Sequence, residues 1–404
     1  MTRAWSRIGH AAYGPIVLAT IVAAGMSLST RLLAAPYTPA SDSVVVERLP
    51  QRSGKASTAR LALRERWRRE PNNATVASDL AREYFELAMA EGDPRYVGYA
   101  QAALTPWWTQ PRPPLDVQVV RGMLLQYNHQ FERGLADLQA VADASPQDPL
   151  AWAWLAAVHM VRADYFEARK ACERLMPLTV ELAAAGCMAY VESMTGQAAA
   201  GAARLMAALK KQAKAEPSLT LWALTRLAEI QERRGLPMKA QEAYEQALAL
   251  GITDTYLYAA YADFLLDQGQ PERVIRMLQS RKQADALLLR LALAAHRTQS
   301  SQAPAWIQEL GTRFEAARAQ GDARHEKEES RFALALLGDC RRALSLATSN
   351  FRSQREAADA RALMEAALAC RDRAAAEPAL NWMQTHGVES VVLQGLAKQL
   401  RALP

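Results

Sequence analysis

Apolar and polar residues alternate at helical spacing along most of the chain, and the clearest stretch lies between residues 221 and 278. The pattern there predicts two pairs of helices, one directly after the other. Gly235-Leu236-Pro237 interrupts the first pair, and Gly269-Gln270-Pro271 interrupts the second, 34 residues later. Helix, turn and helix repeating with this period predict a stack of helical hairpins.

This stretch resembles the tetratricopeptide repeat family. That family prefers small residues at the eighth and twentieth positions of each repeat, where its two helices touch backbone to backbone. Counted from Leu221, these positions hold Ala228 and Ala240. The resemblance covers residues 73–280 well and residues 281–387 weakly. Three further pairs match the rule: Gly122 with Gly134, Ala156 with Ala168, and Ala189 with Gly201.

The expected fold is therefore all-α. We expect eight or nine antiparallel helix pairs in a right-handed superhelix, and no sheet, because no strand-length alternating segment lies between the helices. Residues 58–280 should form the regular solenoid, and residues 281–404 should form degenerate repeats with a C-terminal capping helix. The helices predicted before that cap span about 284–297, 303–319, 322–337, 339–350, 355–370 and 374–385.

The N-terminus carries a localisation signal. Arg3 and Arg7 precede residues 11–30, which contain no charged residue and are long enough to span a bilayer core. We expect residues 1–35 to be a signal anchor or signal peptide, followed by a linker over 36–57. The basic side points to a single-pass protein of the bacterial inner membrane with a periplasmic solenoid. A cleaved signal peptide has the same pattern and would leave a soluble periplasmic protein.

Two strings add to this expectation, SDSVVVERLP and GDPRYVGYAQAALTPWW. They resemble a group of exported, membrane-anchored bacterial tetratricopeptide proteins that have no assigned activity.

The chain has a formal net charge of +6, and much of the excess lies in arginines between residues 60 and 69. A basic helix face can meet anionic lipid or nucleic acid. A solvated face beside an anchor is the favoured interpretation, and no nucleic-acid partner is expected.

Catalytic chemistry has no recognisable signature here. The six histidines form no metal-ligand spacing, and no nucleophile elbow or Gly-rich phosphate loop occurs. We therefore predict a non-enzyme with no cofactor, no metal and no small-molecule substrate. One enzymatic alternative would place a site in the irregular region 281–350, where a pocket would join His296 and His325 to the acidic run after His325.

The four cysteines are arranged symmetrically about two predicted turns. Cys172 and Cys187 flank the turn near Thr179, and Cys340 and Cys370 flank one near Gln354. In an antiparallel hairpin, positions equidistant from the turn lie side by side, so each pair can form a disulfide in an exported protein. The alternative is that all four are small buried hydrophobic residues.

A protein or peptide partner is the remaining expectation. In the family that this chain resembles, the first helix of each repeat lines a concave groove. Carried over by position, the groove residues are Trp222, Thr225, Glu229, Glu232, Tyr256 and Asp263. The resemblance thus implies a scaffold that binds an extended or helical segment of another protein. An accessory protein of envelope or polysaccharide assembly is the alternative.

Trp107 and Trp108 lie beside a Pro-rich stretch and are candidates for a recognition patch. Packing of a loop is the competing interpretation. Two adjacent tryptophans cannot both face one helix core, so we expect at least one to cover a loop or to be exposed.

Overall fold

The structure, a computed structural model, describes residue 41 and residues 55–211, 215–319, 321 and 325–403. Every regular element in these ranges is helical, with no strand, so the all-α prediction is confirmed. The twenty α-helices are α1 (Lys55–Arg69), α2 (Ala74–Glu91), α3 (Arg95–Ala103), α4 (Leu115–Tyr127), α5 (Phe131–Ala144), α6 (Pro149–Val161), α7 (Tyr165–Leu175), α8 (Glu181–Met194), α9 (Ala198–Lys211), α10 (Pro217–Arg233), α11 (Pro237–Ala249), α12 (Thr255–Asp267), α13 (Pro271–Leu278), α14 (Asp285–Arg297), α15 (Ala303–Ala319), α16 (Glu326–Leu337), α17 (Cys340–Ser353), α18 (Ala357–Ala369), α19 (Arg373–His386) and α20 (Val391–Arg401).

Helices α2 to α19 pair in order as nine antiparallel hairpins, with α1 before them and α20 after them. The turn inside a hairpin needs one residue in the left-handed region, which Gly235 and Gly269 supply at φ +72° and +68°. Four other turns place a residue with a Cβ there, although this conformation costs such residues about 1–2 kcal/mol. These residues are His129, Ala163, Gln299 and Arg371.

Small residues let the two helices of a hairpin touch, as the eighth and twentieth positions predict. A Cβ built on Gly122 would lie 3.3 Å from the Gly134 carbonyl oxygen. One built on Gly201 would lie 2.7 Å from the Ala189 carbonyl oxygen, closer than real Cβ atoms approach. The hairpin seam is therefore a backbone contact that excludes larger side chains.

The stack curves until its first hairpin meets its sixth. The Thr255 hydroxyl, at the start of α12, donates to the Ala90 carbonyl oxygen near the end of α2 at 3.0 Å. Gly92 closes α2 in the left-handed conformation, and a Cβ there would lie 2.7 Å from the Cβ of Ala284. The solenoid thus closes on itself after six hairpins.

The C-terminal arm, which we define as α16–α20, folds back onto the early hairpins. One apolar cluster joins residues of α2–α8 to residues of the arm, and a second joins the middle hairpins. Trp382 of the arm donates from Nε1 to the Tyr165 hydroxyl at 3.2 Å. The Arg355 backbone N–H donates to the Val161 carbonyl oxygen at 2.7 Å. The arm therefore does more than end the stack, since it also packs on the third hairpin.

The predicted signal or anchor segment, residues 1–35, and most of the linker 36–57 lie outside the described residues. Among the helices that are described, none has the length and apolarity to cross a bilayer.

Candidate functional site

The polar cleft lies where the C-terminal arm faces the first helices of the fourth, fifth and sixth hairpins. We call those helices, α8, α10 and α12, the groove wall. Charged and phenolic side chains from the wall and the arm meet there and pair with one another. The cleft is defined by Tyr190, Arg226, Glu229 and Tyr256 of the wall and by Lys327 and Glu356 of the arm.

Arg226 is the centre of the wall side of the cleft. Its guanidinium carbon lies 4.5 Å from the ring centroid of Tyr190 and 5.1 Å from that of Tyr256, so two aromatic rings flank one cation. Its Nη1 donates to Glu229 at 2.9 Å and to the Tyr256 hydroxyl at 3.2 Å. The Tyr256 hydroxyl donates in turn to Glu229. Arg226 is thereby held in one orientation.

Glu356 connects the wall to the arm. The Tyr190 hydroxyl donates to its carboxylate. Burial, reinforced by the Glu356 carboxylate, raises the pKa of Tyr190 well above its usual value, so the phenol keeps the donated proton. Glu356 is also the N-cap of α18, and its backbone N–H donates to Asp359 at 2.9 Å. The position of this carboxylate is therefore set by a helix end.

Asp359, with none of its surface exposed, fixes the arm side of the cleft. It accepts from the Asn350 amide at 3.0 Å and lies 3.3 Å from Nζ of Lys327. Burial opposes the charged form of Lys327, but the carboxylates of Asp359 and Glu328 outweigh burial and raise the pKa of Lys327. Lys327 therefore stays protonated within the fold.

A second cross-link between wall and arm lies at Asp263, about two helical turns after Tyr256 along α12. Arg331 of the arm forms a bidentate pair with Asp263 at 2.7 and 2.9 Å, and Arg290 approaches the same carboxylate at 2.7 Å. Burial favours the protonated form of Asp263, but the two guanidinium groups dominate and hold its pKa well below the usual range. Arg361 makes a similar contact with Asp267 at 2.7 Å.

Glu232 differs from the other wall carboxylates because no cationic side chain of the described residues pairs with it. It accepts a hydrogen bond from the Tyr244 hydroxyl at 3.2 Å. Burial, followed by the charges of Asp267, Glu229 and Asp263, raises the pKa of Glu232 to about 8. The wall thus carries an acidic row, and the arm supplies arginines for part of it.

The six predicted groove residues lie in or beside this cleft, but most are engaged within the chain. The Trp222 ring packs on α8, where a Cβ added to Gly186 would lie 2.2 Å from it. Thr225 is 3% exposed and its hydroxyl donates to the Leu221 carbonyl oxygen, so it offers no surface to a partner. Tyr256 stands apart, with 49% of its surface exposed.

The two tryptophans of the predicted recognition patch pack against the apolar cluster that includes the arm. Trp107 is 8% exposed, and only Trp108 is left partly accessible. Buried Arg121 holds this loop, because its Nη1 donates to the carbonyl oxygens of both tryptophans at 3.2 and 3.0 Å. The same guanidinium forms a bidentate pair with Asp137 at 2.7 Å.

The four cysteines form two disulfides. Cys172–Cys187 joins α7 to α8 with a Cα–Cα distance of 5.6 Å, and Cys340–Cys370 joins the start of α17 to the end of α18 with 5.4 Å. The second bridge lies within the arm, so it holds together the element that faces the cleft.

Sequence reasoning missed the arm's contribution to the cleft. Arg226 stands three residues before Glu229 on a predicted helix, which was a usable signal. Lys327 and Asp359 are 32 residues apart in two different hairpins, and no local pattern links them.

The enzymatic alternative named two histidines. His296 is exposed, and His325 lies beside Phe314 with ring centroids 6.2 Å apart. Within the described ranges, no three His, Cys, Asp or Glu side chains cluster as metal ligands.

Comparisons with known proteins give structural neighbours only. No protein-family model matches the chain, and no curated protein matches its sequence. The fold is similar to that of a tetratricopeptide repeat protein from Parabacteroides merdae, with a TM-score of 0.45 and 14% identity over 59% of this chain and 92% of that one. It is also similar to the APC/C hetero-tetramer Cut9-Hcn1, with a TM-score of 0.47 and 13% identity over 81% of this chain and 63% of that one. A third neighbour is the human IFIT1 dimer with m7Gppp-AAAA, with a TM-score of 0.46 and 16% identity over 86% and 87%.

Proposed function

We propose that this protein is a non-catalytic interaction scaffold, exported and held at a bacterial inner membrane, that binds a segment of a partner protein in the polar cleft. The observation that carries the proposal is Tyr256, which is 49% exposed although its hydroxyl and its neighbours are fixed by hydrogen bonds. An accessible, oriented aromatic ring beside an arginine is the kind of side chain that dominates binding energy at protein interfaces. Its rigidity also lowers the entropic cost of binding.

The cleft favours a partner segment that carries both polar and apolar groups. Arg226, Lys327 and Arg331 contribute positive charge, and Glu229, Asp263 and Glu356 contribute negative charge. Because all three cationic side chains already pair with carboxylates of the chain, a strongly charged ligand would have to break existing ion pairs. A segment that covers the Tyr256 ring and donates or accepts a few hydrogen bonds would leave those pairs intact.

Site-specific photo-crosslinking in intact cells tests the proposal. A photoreactive amino acid in place of Tyr256 should crosslink one protein that is not captured from Phe166, an exposed aromatic residue on α7 that serves as the matched control. Tyr256→Ala should weaken binding of that partner by roughly 30-fold, as expected for an interface residue worth about 2 kcal/mol. Equal capture from both positions would show that the cleft is not the site.

The same experiment separates the alternatives. Crosslinked material that contains carbohydrate and no protein would favour a role in polysaccharide assembly. A crosslinked RNA would contradict the expectation of no nucleic-acid partner. Charge reversal at Glu229 or Asp263 is a less clean test, because both carboxylates also hold the wall and the arm in place.

Export and anchoring are part of the proposal. Two disulfides support an oxidising compartment, since the cytosol keeps thiols reduced. Residues 11–30 after Arg3 and Arg7 support an uncleaved anchor with the solenoid in the periplasm. Protease added to spheroplasts should digest the solenoid, and alkaline carbonate should leave the chain with the membrane. A chain that is protected in spheroplasts would refute export, and one that carbonate extracts would refute anchoring.

A further inference from the structure

Helix α1 is attached to the fold by a narrow contact. Leu63 and Trp67 pack against the apolar cluster, and Arg60 is partly covered. The other side chains from Thr58 to Arg69 are exposed. Most of the surface of α1 from residue 58 onward is therefore exposed.

The free face of α1 combines positive charge with one exposed apolar side chain. Leu61, Arg64 and Arg68 follow at intervals of three and four residues, so they lie in one stripe along the helix. Leu61 is 58% exposed. Five arginines and two glutamates lie between residues 58 and 70, and both glutamates pair with arginines on the helix. Arg64 has no carboxylate partner in the part of the chain that is described.

We propose that α1 docks on the surface of a bilayer that contains anionic phospholipid. The arginines of the stripe contact lipid phosphates, and Leu61 inserts at the boundary between headgroups and acyl chains. This inference rests on the proposed anchoring, because residues 31–54 tether α1 to the predicted membrane segment. A tether of 24 residues reaches at most about 80 Å and keeps the helix near the lipid surface.

Lipid fits this face better than nucleic acid, which is also anionic. An exposed leucine next to two arginines has a place at the headgroup boundary of a bilayer, but it gains little beside a sugar–phosphate backbone. Single-stranded nucleic acid is held by aromatic rings that stack on its bases. The stripe has none, and the only aromatic residue of α1, Trp67, packs into the fold.

The test uses the full chain with a fluorescent probe on Leu61→Cys. The native cysteines all lie in disulfides, so a polarity-sensitive dye such as NBD attaches only to the new thiol. The chain is reconstituted in vesicles of phosphatidylcholine alone or of equal parts phosphatidylcholine and phosphatidylglycerol. We expect a blue shift and a rise in intensity only with phosphatidylglycerol, reversed by salt. Phe166→Cys, which is 70% exposed on α7, is the matched control and should not respond.

Removing the charges should weaken the docking. In Arg64→Gln/Arg68→Gln, the ratio of docked to undocked α1 should fall about 25-fold. Each arginine near an anionic surface contributes a factor of roughly five to that ratio. A probe that stays in water although the chain resists carbonate extraction would overturn this inference and leave anchoring intact. A probe that responds in a chain that carbonate extracts would support the docking of α1 and refute anchoring. A response to a mixed-sequence RNA oligonucleotide but not to anionic vesicles would overturn the inference in favour of nucleic acid.

Discussion

Two kinds of seam hold this chain together, and they differ in chemistry. Within a hairpin, small residues bring two backbones into contact, as at Gly122 with Gly134 and at Ala189 with Gly201. Between the groove wall and the C-terminal arm, ion pairs such as Asp263–Arg331 make the contacts beside the cleft. The first seam joins neighbours in the sequence, and the second joins residues 68 positions apart.

The difference has a physical basis. A hairpin seam depends on shape, and any pair of small residues at the right spacing produces it. The wall and the arm meet across a surface that also carries aromatic rings and carboxylates, and a paired charge is satisfied only by a specific partner. The polar seam therefore selects one position of the arm, while the apolar cluster beneath it contributes most of the burial energy.

The largest expected effect is on the polar seam. Asp263→Ala removes the carboxylate shared by Arg290 and Arg331 and leaves one buried and one partly buried guanidinium group without it, which should destabilise the fold by about 3–5 kcal/mol. Glu309→Ala, which breaks more exposed pairs with Lys282 and Arg313, should cost about 1 kcal/mol or less. Urea unfolding measures both. Equal losses would mean that the wall–arm ion pairs act as ordinary surface pairs.

The second largest expected effect on stability is that of removing the disulfide within the arm. The bridges Cys340–Cys370 and Cys172–Cys187 span 30 and 15 residues. In the chain-entropy model each contributes about 3 kcal/mol, and the longer loop adds about 0.6 kcal/mol more. Paired Cys→Ser variants, compared by thermal unfolding, should follow that order. If the 340–370 variant loses less stability than the 172–187 variant, the arm is held independently of its bridge.

The hairpin seam should respond strongly to a single methyl group. Gly201→Ala places a Cβ 2.7 Å from the Ala189 carbonyl oxygen and should destabilise the fold by about 1–3 kcal/mol, because the backbones must separate. In Gly98→Ala, on helix α3, the new Cβ meets nothing within 4 Å. The higher helix propensity of alanine should therefore stabilise the fold by up to about 1 kcal/mol. Chemical denaturation of both variants checks the opposite signs. A neutral Gly201→Ala would show that the seam can relax.

The smallest effect concerns the pH dependence of the groove wall. The pKa of Glu232 is about 8, above its value in an unfolded chain. Its contribution to stability is therefore fully present below the unfolded pKa and is lost as pH rises through about 8. Glu232→Gln should lose less stability than the native chain between about pH 6 and pH 9 in urea titrations.

Glu245→Gln is the control for that measurement. Hydrogen bonding from Gln241 lowers the pKa of Glu245, so this residue stays charged across the same range. The control should keep the pH dependence of the native chain. If Glu232→Gln and the native chain have parallel pH profiles, another group is responsible.

Much of the hairpin stack was predictable because its rules are local. The helix predicted over 303–319 is observed as Ala303–Ala319, and close contact at the eighth and twentieth repeat positions is confirmed. Tyr256 and Asp263 were placed on the inner face by position alone. The arm residues that contact Asp263 and Tyr190 were not predicted, because Arg331 and Glu356 reach the wall only after the chain has turned back on itself.

The amino-acid sequence by itself determined the helices, their pairing and the symmetric placement of the cysteines, since each depends on residues a few turns apart. Only the tertiary structure decided that the first hairpin meets the sixth and that the C-terminal arm packs on the third. Those contacts depend on the summed curvature of successive hairpins, in which small angular differences accumulate along the stack. The polar cleft exists because of that accumulated curvature. The apolar pattern of a single hairpin does not predict the curvature of the whole stack.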